Sequence, residues 1–385
     1  MALLIATAPL WLPERSTPRV APHAVLAAAP AGLDLAGIAL VGWGLLAALR
    51  RPSRTAAAAT LCGLLLLTTV DVLRWQAWAY HALLAGGVLL VAPAGRAARH
   101  LRWLTVGVYA ASAVAKLDVV FADTLGQQML EVVATGIGAE LPGASVGLRR
   151  TLALLFPAAE LLIAALLAGA IRWPRWRPVA VGLACVQHVA TIVILSPWGL
   201  DHALGVLVWN VGFATQTAAL FLMAAAPPEP REPTGADRAR DRVALGLVGA
   251  SLLTPIAYAA GYGDAWLNWA LYAPRGAQAS VFVDRTAFAS LPPTLQTHTE
   301  DAGPGLLRLR PDDWTLAETG APLYPAPRVT AALALAMLER YSLEGRMTLV
   351  LESQAERFTG ERSRLELTTR AEIAAARRGC VAVGR

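Results

Sequence analysis

Residues 108–121 read VYAASAVAKLDVVF, an apolar stretch that is typical of a membrane-spanning helix yet carries Lys116. Of the 33 Lys and Arg residues in the chain, Lys116 is the single lysine. A desolvated lysine can lose its proton and act as a base or nucleophile, whereas arginine stays charged in proteins. Ionisable groups at bilayer depth are rare and usually functional, so we expect Lys116 to have a role. The alternative is that a coding bias replaced lysine by arginine everywhere else and left Lys116 by chance.

The composition of the whole chain indicates a polytopic membrane protein. Hydrophobic residues make up 56%, charged residues 16%, and the mean hydropathy is +0.50. These values are too apolar for a soluble globular protein of this length. The net charge of +6 could suggest nucleic acid, but the arginines lie in short loops between apolar segments. We therefore expect the lipid bilayer as a partner and exclude nucleic acid.

Apolar segments of spanning length predict the fold, since a helix needs roughly 20 residues to cross the bilayer core. They cover residues 24–49, 55–73, 77–94, 103–122, 148–170, 178–196, 202–226 and 242–260. Only a short connection with Asp71, Arg74 and Gln76 separates the second segment from the third. We expect an α-helical polytopic membrane bundle of about eight transmembrane helices.

The charges of the loops predict the orientation of the chain. Arginines follow the first, third, fifth and seventh segments, and the other connections carry little positive charge apart from Arg149 and Arg150. The loop arginines are Arg50, Arg51, Arg54, Arg96, Arg99, Arg102, Arg172, Arg175, Arg177, Arg231, Arg238, Arg240 and Arg242. By the positive-inside rule these loops are cytoplasmic and both termini lie outside. The prediction is a multi-pass protein of the plasma (inner) membrane.

From about residue 262 the chain alternates apolar and polar residues, the period of half-buried strands. The strand candidates are SVFVDR, LLRLR, RMTLVLES and SRLELTTR, and VTAALALAMLERYS and RAEIAAARR are helix candidates. We expect an N-terminal segment (1–23), a transmembrane helical domain (24–261) and a small extracytoplasmic α+β domain (262–385). The stretches LPPTLQ and APLYPAPR are predicted loops, and residues 227–240 (PPEPREPTGADRAR) are a predicted flexible connector.

Polar residues within the apolar segments are the candidates for chemistry. On a helix, Tyr109, Ser112, Lys116 and Asp123 would share one face directed into the bundle, whereas Asp118 would point elsewhere. Further candidates are Asp34, Asp71, His81, Glu160, Gln187, His188, Asp201, His202 and Asn210. Each of them alone fits packing or capping, but several converging on one cavity would indicate function. No metal-site spacing, nucleophile elbow, P-loop or GxGxxG motif occurs, so hydrolase, kinase and dehydrogenase activities have no support.

Aromatic residues near the predicted outer ends of the helices have two interpretations. The segment SPWGLDHALGVLVWN (residues 196–210) is typical of an interfacial turn, and the alternative is a lid that directs His202 and Asn210 into a cavity. Trp266, Trp269 and Tyr272 follow the last apolar segment. Trp and Tyr are enriched at the membrane interface, so these three residues predict an aromatic belt.

The stretch VYAASAVAKLDVVFADTLGQQML (residues 108–130) resembles the segment of vitamin K-dependent γ-carboxylases in which a helix of the form VYFxAGxxKLD runs into an amphipathic segment. It is also similar to the related bacterial HTTM membrane domains. DVLRWQAWAYHALL, LLFPAAELLIAALL and CVQHVATIVI extend the resemblance over about residues 30–225. The resemblance implies that Lys116 is the base that works with a lipid quinol, with His188 at the position of a family histidine. The large lumenal region of the animal enzymes is reduced here to about 120 residues, so recognition of a peptide is not expected.

Two functional hypotheses follow. In the first, the protein is a membrane anchor or accessory subunit, Lys116 pairs with a carboxylate such as Glu160 or Asp71, and the C-terminal domain binds a protein partner. In the second, it is a membrane enzyme acting with a lipid quinol, quinone or other lipophilic ligand. Lys116 would then be the general base or an electrostatic stabiliser, and His188 or Asp71 would assist.

Overall fold

The computed structural model describes residues 1–15, 17–139, 141, 143–223 and 234–383, and it divides the chain into two compact units. Unit 1 comprises Met1–Ala79, Gly276–Ala355 and Glu361–Arg385. Unit 2 comprises Tyr80–Arg275 and Glu356–Gly360. Unit 1 thus contains the N-terminal segment, the first long helices and most of the residues after 275.

Helices account for most of the described residues. In chain order they are α1 (Ala2–Ala6), α2 (Ala8–Trp11), α3 (Ala24–Ala27), α4 (Ala31–Arg50), α5 (Arg54–Val70), α6 (Ala77–Val91), α7 (Ala94–Lys116), α8 (Val119–Asp123), α9 (Leu125–Gly136), α10 (Val146–Arg172), α11 (Arg177–Leu195), α12 (Leu204–Leu222), α13 (Gly235–Ala259), α14 (Pro293–Gln296), α15 (Pro311–Thr319), α16 (Pro327–Arg340) and α17 (Arg370–Ala376). The strands are β1 (Arg19–Ala21), β2 (Gln278–Asp284), β3 (Thr299–Asp301), β4 (Leu306–Leu309), β5 (Met347–Glu352), β6 (Arg364–Leu367) and β7 (Val381–Val383).

Among the described residues, five helical segments are long and apolar enough to cross a membrane: α4, α10, Pro174–Leu195 (which contains α11), α12 and α13. The prediction of eight spans is not supported. Helices α5 and α6 are apolar but have only 17 and 15 residues. Helix α7 is long enough but begins nine residues before the predicted start at 103, and its first turns contain Arg96, Arg99 and Arg102.

Several local predictions need correction. The predicted segment 103–122 is not one helix, because α7 ends at Lys116 and α8 begins at Val119. Residues 125–136, expected to be part of a loop, form α9. The last residues of the predicted connector belong to α13, which begins with a capping box between Thr234 and Asp237. The rest of the connector, residues 227–233 with Arg231, lies outside the described residues.

Helices α4 and α5 of unit 1 form an antiparallel hairpin in which glycines permit close contact. A Cβ atom on Gly37 would lie 2.7 Å from Leu67, one on Gly44 2.3 Å from Thr60, and one on Gly63 2.6 Å from the carbonyl oxygen of Gly37. Larger residues would force the two helices apart. Small residues have this role in membrane helix pairs, where close backbone approach increases the dispersion contacts that hold helices together.

A buried ionic network closes the open end of this hairpin. Arg74, which follows α5, pairs with Asp34 in the first turn of α4, and Arg15 pairs with Asp71. Arg74 also donates to the carbonyl oxygens of Leu10 and Trp11, at 3.1 Å each. Arg74 and Asp34 are each 1% exposed and the Asp71 side chain is fully buried. The N-terminal segment, expected to be interfacial or without assigned structure, is thus tied to α4 and α5.

Strand β1 pairs antiparallel with β7, so residues 19–21 and 381–383 lie on the same side of a membrane. The chain between them must then cross an even number of times. Helix α5 returns to the start of α4, as the pairing of Arg74 with Asp34 shows.

The C-terminal part of unit 1 is a five-stranded antiparallel sheet of order β3-β4-β2-β5-β6 with α16 packed against it. All four predicted strands and both predicted helices are confirmed in this region. Val281, Val283, Leu307 and Leu349 point to the buried face, as the period-2 pattern requires. The predicted loop LPPTLQ is wrong in part, since Pro293–Gln296 form the short helix α14.

We expect Arg74→Ala to lower the free energy of unfolding by about 3–5 kcal/mol, because it leaves the buried Asp34 carboxylate without its cation. Thermal unfolding in detergent would measure this change. The control is Arg285→Ala, since Arg285 forms an exposed pair with Asp301 and its loss should leave stability nearly unchanged. Equal melting temperatures for the two variants would contradict the structural role of the network.

Candidate functional site

Lys116 is the last residue of α7, and residues 117 and 118 separate α7 from α8. Leu117 leaves the helix, and the Asp118 carboxylate accepts a hydrogen bond from the Phe121 amide at 2.8 Å and so begins α8. The Asp118 carboxylate is thus used as the cap of α8. Asp123 does not share the face of Lys116, because the break lies between them; it pairs with Arg150 at 2.6 Å and is 40% exposed.

The Lys116 ammonium is 4% exposed and contacts two side chains of unit 2. Its Nζ atom donates to Ser112 Oγ, one turn earlier, at 3.0 Å, and to Glu160 Oε1 on α10 at 2.6 Å. The carboxylate partner of Lys116 is therefore Glu160 and not Asp71, which pairs with Arg15 in unit 1. A buried charge needs such a partner, and the pair is one way to keep the ammonium at this position.

Glu160 uses only one of its carboxylate oxygens in this pair. Oε2 is buried and has no hydrogen-bond partner among the described residues. The same holds for Gln187 Oε1 on α11. Buried polar atoms in native proteins are nearly always satisfied by protein or by ordered water, so these two acceptors mark a candidate position for a water or another hydrogen-bond donor.

A second group of side chains forms a hydrogen-bonded chain with a defined direction. Asn210 Nδ2 donates to the Val206 carbonyl oxygen at 2.9 Å, which places its Oδ1 against His188 Nδ1, also at 2.9 Å. His188 Nδ1 must therefore carry the proton, and Nε2 is left as an acceptor. Tyr109 donates its hydroxyl proton to this Nε2 at 2.7 Å. Asn210 thus sets the tautomer of His188, and His188 orients Tyr109.

Both groups line one cavity of about 50 Å³ inside unit 2. Its polar lining includes Tyr109, Ser112, Lys116, Glu160, Gln187, His188, Thr191, Asn210 and Tyr272, and its apolar lining includes Val108, Trp209, Phe213 and Leu271. A water molecule needs roughly 10–15 Å³ measured in this way, so the cavity has room for about four waters. The Glu160 carboxylate interacts electrostatically with Tyr109, His188 and Tyr272 across it.

Two aromatic residues beside the cavity have strained backbones. Trp269 and Tyr272 have φ angles of +58° and +55°, a region that bulky side chains rarely adopt. Trp269 is fully buried and donates from Nε1 to Ser251 Oγ at 2.9 Å, so the predicted aromatic belt is wrong for Trp269. Tyr272 lines the cavity instead of facing lipid. Such strain persists only where the surrounding structure imposes it, often at functional sites.

The structure brings seven of the predicted polar residues to this cavity: Tyr109, Ser112, Lys116, Glu160, Gln187, His188 and Asn210. Asp71, His81 and His202 are not part of the lining. His81 is buried against Trp209 and Phe213 and contacts Gln216 at 3.3 Å, and His202 contacts the Leu200 carbonyl oxygen at 3.2 Å. Thr191, Trp209, Phe213 and Tyr272 were missed. Helical spacing from His188 and Asn210 could have found Thr191 and Phe213, but no sequence signal points to Tyr272.

We expect His188 to show the Nδ1-protonated tautomer in ¹⁵N NMR of histidine-labelled protein, and Asn210→Leu to abolish that single tautomer. The leucine removes the acceptor that holds the Nδ1 proton. Gln216→Leu is the matched control, because Gln216 contacts His81 and not His188. An Nε2-protonated His188 in the wild-type protein would contradict the direction of the chain.

No family model matches this chain, and comparisons with curated proteins and with solved structures found no match. Among the described residues, no group of three or more His, Cys, Asp or Glu side chains could hold a metal ion. The functional argument therefore starts from the cavity of unit 2 and the side chains that line it.

Proposed function

We propose that this protein is a membrane-embedded enzyme that performs acid–base chemistry on a protic group of a lipophilic substrate. The observation that carries the proposal is that the Lys116–Glu160 pair and the Asn210–His188–Tyr109 chain line the same buried cavity. Packing explains one buried ion pair or one buried histidine, but it does not explain their convergence on a polar cavity. The multiple apolar helices support a membrane protein.

The pairing of Lys116 divides the chemical roles between two residues. An ammonium ion that donates to Glu160 and Ser112 has no lone pair with which to accept a proton. Glu160 Oε2 does have one: it has no hydrogen-bond donor among the described residues, and Glu160 is one of the residues that line the cavity. In this proposal Glu160 accepts the substrate proton, and the Lys116 charge stabilises the negative charge that develops on the substrate oxygen.

The second chain supplies another route for a proton. His188 Nε2 accepts from Tyr109, whose oxygen lies at the cavity, so a proton can pass from the cavity through the tyrosine oxygen to the imidazole. His188 can take up that proton because Asn210 already holds the Nδ1 proton in place. Tyr109 and His188 thus form a relay in addition to the Lys116–Glu160 pair.

The size of the cavity limits which part of a substrate can enter. A cavity of about 150 Å³ is known to hold benzene, so a space of about 50 Å³ fits a hydroxyl group better than a whole ring. The two unsatisfied acceptors, Glu160 Oε2 and Gln187 Oε1, suit a group that donates hydrogen bonds. A lipid quinol, which the resemblance to γ-carboxylases and HTTM domains implies, would supply an acidic hydroxyl of this kind.

A second candidate function is a membrane anchor or accessory subunit. The Lys116–Glu160 contact at 2.6 Å favours it, because a buried ion pair needs no substrate to explain it. In this function the exposed sheet face of the C-terminal domain, with Arg308, Arg364 and Glu366, would contact a protein partner.

Loss of the proposed base separates the two functions. We expect Glu160→Gln to reduce the oxidation of a short-chain quinol in proteoliposomes, with dissolved dioxygen as the electron acceptor, by at least about a hundredfold, the lower range of general acid–base contributions. Lys116→Arg should reduce it too, because a guanidinium favours a two-point contact that occupies both oxygens of Glu160. His202→Ala should keep wild-type turnover, because His202 does not line the cavity. Full turnover in Glu160→Gln would remove Glu160 as the base, and wild-type turnover no higher than in protein-free vesicles would exclude the quinol and favour the anchor.

We propose, in addition, that the protein lies in the plasma (inner) membrane with both termini and the C-terminal domain outside. Arg51 between α4 and α5, together with Arg96, Arg99 and Arg102 in the first turns of α7, supports a cytoplasmic position for these connections. The pairing of β1 with β7 supports a common side for both terminal regions.

Cysteine labelling in intact cells tests this orientation. In a variant with Cys62, Cys185 and Cys380 replaced by serine, Asp301→Cys should react with a membrane-impermeant maleimide, because the Asp301 side chain is 69% exposed in the C-terminal domain. Arg51→Cys, in the exposed α4–α5 connection, should react only after the cells are permeabilised. The reverse labelling pattern would invert the proposed topology.

A further inference from the structure

Arg357 spans the break between α7 and α8, immediately after Lys116. Its Nη1 atom donates to the carbonyl oxygens of Val114 at 3.2 Å and Leu117 at 3.1 Å. Its own carbonyl oxygen accepts from the Val119 amide at 3.0 Å. One residue therefore binds the last turn of α7 and the first turn of α8 at the same time.

These contacts satisfy backbone groups that the end of a helix leaves without partners. The last four carbonyl oxygens of an α-helix lack intrahelical donors, and a lysine or arginine nearby usually supplies them. In α7 the terminal lysine is directed to Ser112 and Glu160 instead. Arg357 supplies the cation at the carbonyl end of the helix, which leaves the Lys116 ammonium available to its carboxylate partner.

The turn that presents Arg357 is itself held in a defined shape. The Glu356 carboxylate accepts from the amides of Thr359 and Phe358 at 2.6 Å each, and these bonds hold the pKa of Glu356 below its usual range. Gly360 donates to the Glu356 carbonyl oxygen and has a φ of +76°, a conformation that disfavours other residues. A Cβ atom at Gly360 would lie 3.4 Å from Val119. The turn is thus fixed against the start of α8.

We propose that Arg357 is a positioning residue for Lys116, and that the turn Glu356–Gly360 is a part of the Lys116 site contributed by the β5–β6 connection of the C-terminal domain. The positioning of Lys116 by Arg357 is argued from contacts alone. Only the reason why this position matters rests on the proposed function. Without Arg357 the last turn of α7 frays, and Lys116 loses its alignment with Glu160.

The single lysine makes the inference measurable without an activity assay. Acylation of Lys116 by an amine-reactive ester, read by mass spectrometry of the one lysine-containing peptide, reports how often Nζ leaves Glu160 and becomes free to react. We expect Arg357→Ala to raise this labelling rate about tenfold or more at a given pH and to change its pH profile, because two hydrogen bonds to a charged group are lost. Arg357→Lys should restore part of the protection.

The matched control is Arg362→Ala. Arg362 lies in the same β5–β6 connection and also donates to two carbonyl oxygens, those of Gly276 and Ser353 at 2.7 Å each, but both acceptors belong to unit 1. Its removal should leave the labelling of Lys116 unchanged. Equal labelling rates in Arg357→Ala and the wild type, or an equal rise in Arg362→Ala, would overturn the inference.

A second variant covers the case in which Arg357→Ala does not fold. Gly360→Val strains the turn through its positive φ and its contact with Val119, and it should also raise the labelling of Lys116. Unchanged labelling of Lys116 in this variant would contradict the role of the turn Glu356–Gly360 in positioning Lys116. The labelling rate depends on the position of Lys116 and not on quinol turnover. If the proposed function fails, the positioning role of Arg357 can still hold. If the positioning role fails, the proposed function is not excluded.

Discussion

The contact between the Lys116 ammonium and the Glu160 carboxylate sets the constraint around which unit 2 is built. An ammonium ion that is 4% exposed must be paired, since the cost of an unpaired charge in a medium of low dielectric exceeds the stability of most domains. Four features of the structure meet this requirement. Helix α7 ends at Lys116, and Asp118 begins a new helix. Arg357 donates to the carbonyl oxygens at the end of α7, and α10 brings Glu160 within hydrogen-bond distance of Lys116.

Unit 1 solves the same problem with different chemistry. Its buried carboxylates, Asp34 and Asp71, are matched by Arg74 and Arg15, and Arg74 uses its remaining donors on the carbonyl oxygens of Leu10 and Trp11. The guanidinium group can serve several acceptors at once because it is a planar fork with five donors. These pairs connect the N-terminal segment to a helix hairpin. Their role is structural, in contrast to the single pair that contains lysine.

The sequence predicts the features that depend on neighbouring residues better than those that depend on residues far apart along the chain. Apolar runs located α10, α11 and α12 to within two residues at nearly every end, because their burial follows from local composition. The start of α7 was misplaced since Arg96, Arg99 and Arg102 interrupt the apolar pattern without ending the helix. The pairing of β1 with β7 was missed, because three-residue strands carry too little period-2 signal and their partners are separated by most of the chain.

The same distinction applies to the cavity. Tyr109, Ser112 and Lys116 could be placed on one face from helical spacing, and the polar residues in other apolar segments were sensible candidates for joining them. Which of those candidates arrive at the cavity depends on helix packing, and spacing along one helix carries no information about it. Tyr272 and Arg357 enter from irregular segments, one with a positive φ and one from a turn more than 200 residues later in the chain.

The use of lysine at a position where the chain otherwise uses arginine then has a geometric reason. An arginine facing Glu160 would favour the two-point contact of guanidinium and carboxylate, which occupies both carboxylate oxygens. The lysine ammonium binds Oε1 alone and leaves Oε2 without a hydrogen-bond donor. Lysine is therefore the cation that neutralises Glu160 while one carboxylate oxygen keeps its full capacity as an acceptor. The single lysine of the chain and the unsatisfied oxygen of Glu160 are therefore both features of the same ion pair.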